Sequence, residues 1–202
     1  MLSSVGANQF AVVGDVSEAS VCSLLIEQVV RHFGAIDILV NNAGTIRRAP
    51  AAEHSEEDWQ AVIDTNLTSV FRLTKNTGKH MLAQGSGKAI NIASVLTFQS
   101  GIFFASYVAA NRGVGQLTKA FANEWAATGI NVNAIAPGYM VTDNTEALRV
   151  NPERSRQIME RIPAGRWGGA DDLAGAVVFH PSSASDYVHG HVLVVDGGWL
   201  SR

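Results

Sequence analysis

A serine and a tyrosine thirteen residues apart are the side chains best placed to do chemistry. Ser94 directly follows residues 88–93, which predict a strand, and Tyr107 opens a helix predicted over about residues 105–128. A phenol can pass a proton to or from a carbonyl or carbinol oxygen, and a serine hydroxyl can hold that oxygen meanwhile. The alternative interpretation makes Tyr107 an ordinary aromatic residue of the core.

A second candidate site follows a strand predicted at residues 36–40, where the chain reads Asn41-Asn42-Ala43-Gly44. The small residues Ala43 and Gly44 would let a flat ligand approach the backbone, and asparagine side chains can pin the chain on either side. An ordinary turn from strand to loop explains the same residues equally well.

The elements that must position these groups alternate along the chain. Strands are predicted at residues 10–14, 36–40, 88–93, 130–136 and 191–195, and helices at 17–34, 55–82 (in one or two pieces), 105–128, 144–161 and 171–180. Strands separated by long helices predict βαβ units, and therefore an α/β fold with a doubly wound parallel sheet. Such sheets bind ligands beyond the carboxyl ends of their strands, where both candidate sites lie.

Composition narrows the function further. The 202 residues are 47% hydrophobic and 16% charged, which suits a packed globular chain and excludes a disordered one. A net charge of −3 without a basic patch argues against a nucleic-acid partner. We expect no membrane span, no signal peptide and, because the six histidines lack ligand spacing, no metal site. Cys22 is the only cysteine, which fits a reducing cytoplasm.

The motifs, in this order and spacing, resemble those of the short-chain dehydrogenase/reductase family. They are Asn41-Asn42-Ala43-Gly44, Asp64-Thr65-Asn66-Leu67, Ser94, Tyr107 and Pro137-Gly138-Tyr139, and the resemblance covers residues 10–202. Residues 42–48, 161–168 and 195–200 are similar to the branch of bacterial 2-dehydro-3-deoxy-D-gluconate 5-dehydrogenases, also called 2-deoxy-D-gluconate 3-dehydrogenases. The resemblance implies a single Rossmann-like domain over residues 1–202. It also implies hydride transfer between NAD and a keto-deoxy sugar acid, with NADP not excluded.

The resemblance also implies roles for individual residues. Tyr107 would be the general acid/base, Ser94 would hydrogen-bond the reacting oxygen, and the backbone of Asn66 would hold a water of the proton relay. The cofactor would face Asp15, Val16, Asn42, Ala43, Gly44, Tyr107, Pro137, Gly138, Tyr139 and Thr142. Members of this kind are commonly homotetramers.

A sugar-acid substrate needs partners for a carboxylate and for several hydroxyl groups. The candidates are Arg47, Arg48, Gln99 and Arg166, since arginine can bind a carboxylate with two parallel hydrogen bonds. Exposed arginines are about as often only a solvated surface, so both interpretations stay open for the three cations.

Two features depart from the family pattern. The family has a lysine four residues after the tyrosine, where this chain has the uncharged Asn111 on the same helix face. If a lysine normally lowers the phenol pKa by two to three units, its loss slows the reaction about 10²- to 10³-fold. Moreover, none of the 19 glycines forms a phosphate-binding G-x-G-x-x-G or T-G-x-x-x-G-x-G loop, and the residues before Phe10 are too few for a βαβ unit.

We therefore expect a Rossmann-like sheet truncated at the N-terminus, lacking its first βαβ unit. A late start codon, a fragmentary or degenerate gene copy, and a compact variant would each account for it. Three functional outcomes follow: an oxidoreductase impaired at Asn111, a non-catalytic relative that serves as an oligomerising or interaction module, or a fragment without function.

Overall fold

The computed structural model describes residues 9–202 and contains a four-stranded sheet in which every neighbouring pair of strands is parallel. The strands are β1 (Ile38–Asn41), β2 (Gly87–Ile92), β3 (Ile130–Pro137) and β4 (Val192–Val195), in the spatial order β1-β2-β3-β4. The helices are α1 (Ala19–Phe33), α2 (Glu56–Ile63), α3 (Ser69–Gln84), α4 (Ala105–Trp125), α5 (Glu146–Arg149), α6 (Pro152–Arg161) and α7 (Ala174–Phe179). The predicted α/β fold with a parallel sheet is confirmed.

Successive residues of a strand point to opposite faces of the sheet, and helices pack against both faces here. Ala89 of β2 packs in a core with residues of α1, α3 and α4, among them Met81 and Trp125. Its neighbour Ile90 packs on the other side with Ala176 of α7. This two-sided burial is the reason that the strands read as apolar runs rather than as alternating patterns.

A chain of buried side-chain amides and hydroxyls ties the first two strands to the helices above them. Asn41 Nδ2 at the end of β1 donates to Thr74 Oγ1 of α3 at 2.9 Å and to Asn91 Oδ1 of β2 at 2.8 Å. Asn91 Nδ2 in turn donates to Thr118 Oγ1 of α4 at 2.9 Å. The network therefore fixes the carboxyl ends of β1 and β2 relative to α3 and α4.

The strand predicted at residues 10–14 is wrong. These residues form no strand, and Val13 is 99% exposed. A strand is stabilised by pairing with a neighbour, and among residues 9–202 no strand lies beyond β1 to pair with it. The interpretation of residues 1–8 as free of a signal peptide lies outside the described residues.

Several helix boundaries lie close to the predicted ones, and local caps set them. Gly34 ends α1 in a left-handed conformation (φ 84°), and Ser55 Oγ accepts from Asp58 N at 3.1 Å to begin α2. The helix predicted from residue 17 begins two residues later, at Ala19, and the Ser17 N–H donates to Asp15 Oδ1 at 2.9 Å. The helical region predicted at residues 55–82 is divided by a π-helical turn, Asp64–Thr68. No helix within residues 9–202 is long and apolar enough to cross a membrane.

Candidate active site

Ser94 lies at the carboxyl edge of the sheet, two residues beyond the end of β2. Its backbone is extended, and its Oγ accepts from Leu96 N at 3.2 Å, which caps a short 3₁₀ turn, Val95–Thr97. Because this bond uses a lone pair of the hydroxyl, the Ser94 hydrogen stays available for an acceptor such as a substrate oxygen.

Tyr107 lies in the first turn of α4, half-buried, with its ring edge-on to that of Phe104 (centroids 6.4 Å apart). Burial raises the pKa of the Tyr107 phenol above its ordinary value, and this effect outweighs three opposing ones. Those are the nearby Asn111 amide, the positive charge of Arg48 and the nearby Ser94 hydroxyl, each of which lowers the pKa. The phenol is therefore protonated at neutral pH.

Asn111, which replaces the lysine of the family pattern, is turned back onto its own helix. Its side chain is 4% exposed, and its Nδ2 donates to the main-chain oxygen of Tyr107 at 2.9 Å. The amide thus stabilises the first turn of α4 beneath the phenol and brings no positive charge to it.

A cavity of about 660 Å³ lies beside the serine and the phenol but not beside Asn111. Ser94 and Tyr107 both line it, together with four further residues that the sequence singled out: Arg48, Gln99, Gly138 and Tyr139. The loop at residues 99–104, which contains the predicted substrate partner Gln99, forms one side of the wall. The serine, the phenol and a guanidinium group therefore face one shared cavity.

Asn66 does not line the cavity, but its side chain holds the loop that follows β1 in place. It lies in the π-helical turn Asp64–Thr68, and its Oδ1 accepts from Thr45 N while its Nδ2 donates to Thr45 O, both at 2.9 Å. The two bonds fix the end of the exposed loop Asn42-Ala43-Gly44, which follows β1 at the same sheet edge. The proposed water on the Asn66 backbone stays a prediction.

The turn after β3 requires a glycine. A Cβ on Gly138 would lie 2.7 Å from the Cα of Asp196, a backbone atom that cannot move aside cheaply.

Pro137 is the last residue of β3 and pairs with Val195. The Tyr139 ring packs against the ring of Trp199 at 4.5 Å, and the main-chain oxygen of Thr142 accepts from Arg149 at 3.3 Å.

Outside this cavity wall also lie the two arginines Arg47 and Arg166 and the pair Asp15-Val16, which the sequence singled out. Arg47 binds Thr45 Oγ1 at 3.0 Å and Asp58 at 3.3 Å. Arg166 forms two hydrogen bonds of 2.7 Å to the Asp172 carboxylate, beside a separate cavity of about 150 Å³. Asp15 precedes α1 with Val16 at its side, and hydrogen bonds from Ser17 lower the pKa of its carboxyl.

Sequence reasoning missed the side of the cavity formed by α5 and α6. Arg154, Gln157 and Arg161 of α6 line the wall, as do residues of the loop at 99–104. Their spacing of three and seven residues places them on one face of the helix, a signal that the sequence contains but that acquires meaning only once the helix is placed.

A family model described as enoyl-(acyl carrier protein) reductase matches residues 1–200 of this chain. The chain belongs to the short-chain dehydrogenase/reductase family. This short-chain dehydrogenase/reductase is 52% identical to the 2-dehydro-3-deoxy-D-gluconate 5-dehydrogenase of Escherichia coli over 202 residues, which are 100% of this chain and 80% of the relative.

Two further proteins show the same relationship. The Bacillus subtilis 2-dehydro-3-deoxy-D-gluconate 5-dehydrogenase is 60% identical over 167 residues, which are 83% of this chain and 66% of that relative, just under two thirds of its length. A crystal structure of a putative NAD(P)-dependent gluconate 5-dehydrogenase from Beutenbergia cavernae, with bound NADP, superposes with a TM-score of 0.92 at 48% identity. That match covers 96% of this chain and 77% of the other.

Proposed function

We propose that this chain is an NAD(P)-dependent oxidoreductase that transfers hydride to or from a keto-deoxy sugar acid. The observation that carries the proposal is that Ser94 and Tyr107 line one cavity together with Arg48. The names of the relatives, which act on 2-dehydro-3-deoxy-D-gluconate, supply the substrate class.

In this proposal, the Ser94 hydroxyl donates a hydrogen bond to the reacting oxygen while its lone pair stays engaged with Leu96 N. The Tyr107 phenol gives that oxygen a proton during reduction of the carbonyl and takes it back during oxidation of the alcohol. When bound, the nicotinamide supplies or accepts the hydride. Because burial raises the pKa of Tyr107, the phenol is ready as an acid at neutral pH, and oxidation is favoured by alkaline pH.

The residues at the carboxyl edge of the sheet fit the nicotinamide end of a dinucleotide. The loop Asn42-Ala43-Gly44 is exposed, held in place through Thr45 by Asn66, and free of bulky side chains. Gly138 keeps the backbone after β3 close to Asp196, so no side chain obstructs the edge there. We propose that these segments hold the nicotinamide and its ribose.

The test is a spectrophotometric assay of the full chain with 2-dehydro-3-deoxy-D-gluconate and NAD⁺ or NADP⁺, recorded at 340 nm, with fluorescence titration of NADH and NADPH alongside. We expect binding of a reduced nucleotide and slow turnover that increases with pH. The absence of turnover in a chain that binds NADH or NADPH, with no gain in an Asn111→Lys variant, would contradict the proposal.

A second candidate is a non-catalytic member of the family, and the position of Asn111 favours it. Its amide is bonded to the helix backbone and leaves the phenol without the cation of the family pattern. This candidate predicts no change in NADH fluorescence on titration, together with a defined oligomer in light scattering. Hydride transfer that depends on Tyr107 would eliminate it.

A homotetramer in the cytoplasm belongs to the same proposal. Phe71 of α3 is 40% exposed and stacks on Phe121 of α4 at 6.2 Å, so these two helices present apolar surface together. Cys22 is buried and free, as a reducing compartment would leave it. Multi-angle light scattering should give four times the chain mass of 21.5 kDa, and a monomer at micromolar concentration would exclude it.

A further inference from the structure

One face of α6 forms a wall of the active-site cavity. Ile158, 2% exposed, anchors the helix by packing against Val95 and Trp199. Arg154 and Arg161 lie four and three residues from this anchor, and together with Gln157 they line the cavity. The helix thus presents two guanidinium groups to the space that Ser94 and Tyr107 also face.

These two guanidinium groups have no acidic partner within residues 9–202. Arg154 Nη1 donates to the Gln157 Oε1 amide at 3.2 Å, and the Arg161 guanidinium lies 3.9 Å from the ring centroid of Trp199. Arg156, on the outer side of the same helix, contrasts with them because it pairs with Glu153 at 2.8 Å and with Glu160 at 2.6 Å. The helix therefore neutralises the arginine that points away from the cavity and leaves the two that line the cavity uncompensated.

The charge of the whole cavity has the same sign. Arg48, whose Nη2 donates to Asn144 O at 2.7 Å, is a third cation in the wall, and no aspartate or glutamate among residues 9–202 lines it. The three positive charges act together on the Tyr139 phenol in the same wall. Burial raises the pKa of this phenol, while the charges of Arg154, Arg161 and Arg48 all oppose the rise. An anionic group in the cavity would complete this arrangement.

We propose that Arg154 and Arg161 bind the carboxylate of the substrate, so that the acid group is held on α6 while the reacting carbon lies at Ser94 and Tyr107. This inference rests on the proposed function. Stacking on Trp199 restrains the Arg161 side chain before the ligand arrives, which lowers the entropic cost of binding. A planar guanidinium matches a carboxylate with two parallel hydrogen bonds. A cavity of about 660 Å³ has room for a six-carbon acid beside a nicotinamide.

The arrangement makes the two arginines specificity residues. An open-chain sugar acid satisfies both the cations on α6 and the polar groups around Tyr107, whereas a neutral polyol of the same length leaves the guanidinium groups without a counter-charge. The discrimination should fall mainly on binding, because the carboxylate keeps its charge throughout the reaction.

The experiment measures binding of D-gluconate and of its neutral analogue D-glucitol to the full chain by isothermal titration calorimetry, without cofactor. We expect gluconate to bind at least about 10-fold more tightly than glucitol, and Arg154→Gln and Arg161→Gln each to weaken gluconate binding about 10-fold or more. Arg156→Gln, on the opposite face of the same helix, is the matched control and should bind gluconate like the parent chain. Thermal unfolding of each variant establishes that it is folded.

Several results would overturn the proposal: glucitol binding as tightly as gluconate, no gluconate binding at all, or Arg154→Gln and Arg161→Gln binding gluconate unchanged. Tighter binding of D-glucose 6-phosphate than of gluconate would overturn the assignment to a carboxylate in favour of a phosphate. In the turnover assay, the α6 variants should raise KM with kcat nearly unchanged. Gluconate binding that depends on both arginines in a chain without turnover would support this inference while refuting the oxidoreductase function, so the two failures are distinguishable.

Discussion

The buried amide network between the strands and α3 and α4 makes a quantitative prediction for Asn91→Ala. Asn91 is fully buried, accepts from Asn41 Nδ2 at 2.8 Å and donates to Thr118 Oγ1 at 2.9 Å. After truncation, Asn41 Nδ2 keeps its bond to Thr74, and Thr118 Oγ1 keeps its donation to Val114 O at 2.8 Å. Neither partner is left wholly unsatisfied, so the loss stays below that of a stranded buried polar group.

Two lost hydrogen bonds at about 0.5–1.5 kcal/mol each, with a small cavity added, give a destabilisation of about 2–4 kcal/mol. For a chain of this length the midpoint of thermal unfolding should fall by about 5–15 °C. The assay is thermal and urea unfolding followed by circular dichroism. Asn123→Ala, an exposed asparagine on α4, is the matched control and should change stability by less than about 0.5 kcal/mol.

A loss for Asn91→Ala as small as that of the control would refute the reasoning, because it would mean that the network contributes nothing beyond an exposed amide. A double variant, Asn91→Ala with Thr118→Val, isolates the contribution of the Asn91–Thr118 hydrogen bond. We expect its destabilisation to be smaller than the sum of the two single losses, since both changes remove the same Asn91–Thr118 bond.

Three further predictions address the site and its surroundings. Gly138→Ala should destabilise the chain and reduce nucleotide binding in fluorescence titration, because the added Cβ meets the Asp196 backbone; unchanged binding and stability would contradict this. Arg48→Gln should shift the rise of kcat/KM with pH, in alcohol oxidation, to higher pH. Burial raises the pKa of Tyr107 and the Arg48 charge opposes that effect, so loss of the charge makes the phenol harder to ionise. An unchanged pH profile would exclude this charge effect. Burial and, to a smaller extent, the charge of His191 lower the pKa of His180, so the unfolded chain takes up a proton before the folded chain as the pH falls. The stability that depends on His180 should therefore be full above about pH 6.5 and decrease below it. His180→Leu should make the melting temperature less dependent on pH between about pH 7.5 and 5.

The sequence predicted the sheet well because its signals are local. Apolar runs between helical periods define β2 and β3 to within one residue at each end. Gly34 ends α1 through its left-handed backbone, and Ser55 begins α2 through its side-chain oxygen. Residues 10–14 carry the same apolar signal and form no strand, because pairing depends on a neighbour that a local pattern cannot supply.

The residues of the candidate site also fall into those that local sequence signals could identify and those that they could not. Ser94 and Tyr107 were found because each stands next to the end of an element, and parallel sheets gather such positions at one edge. Arg47 and Arg48 could not be told apart in sequence, yet Arg47 bonds Asp58 and Arg48 lines the cavity, a difference set by which way the loop turns. Arg154 and Arg161 could not be found, since only the packing of α6 across the cavity gives them a role.

The most direct test of the account is a double-mutant cycle of Ser94→Ala and Tyr107→Phe on kcat, with nucleotide binding measured in parallel. If both side chains act on one substrate oxygen, Tyr107→Phe should lower kcat about 10²- to 10⁴-fold and Ser94→Ala about 10²- to 10³-fold. The double variant should then lose much less than the product of the two, with nucleotide affinity unchanged. Turnover in Tyr107→Phe equal to that of the parent chain, or losses that multiply fully, would contradict the claim that the serine and the phenol share an oxygen.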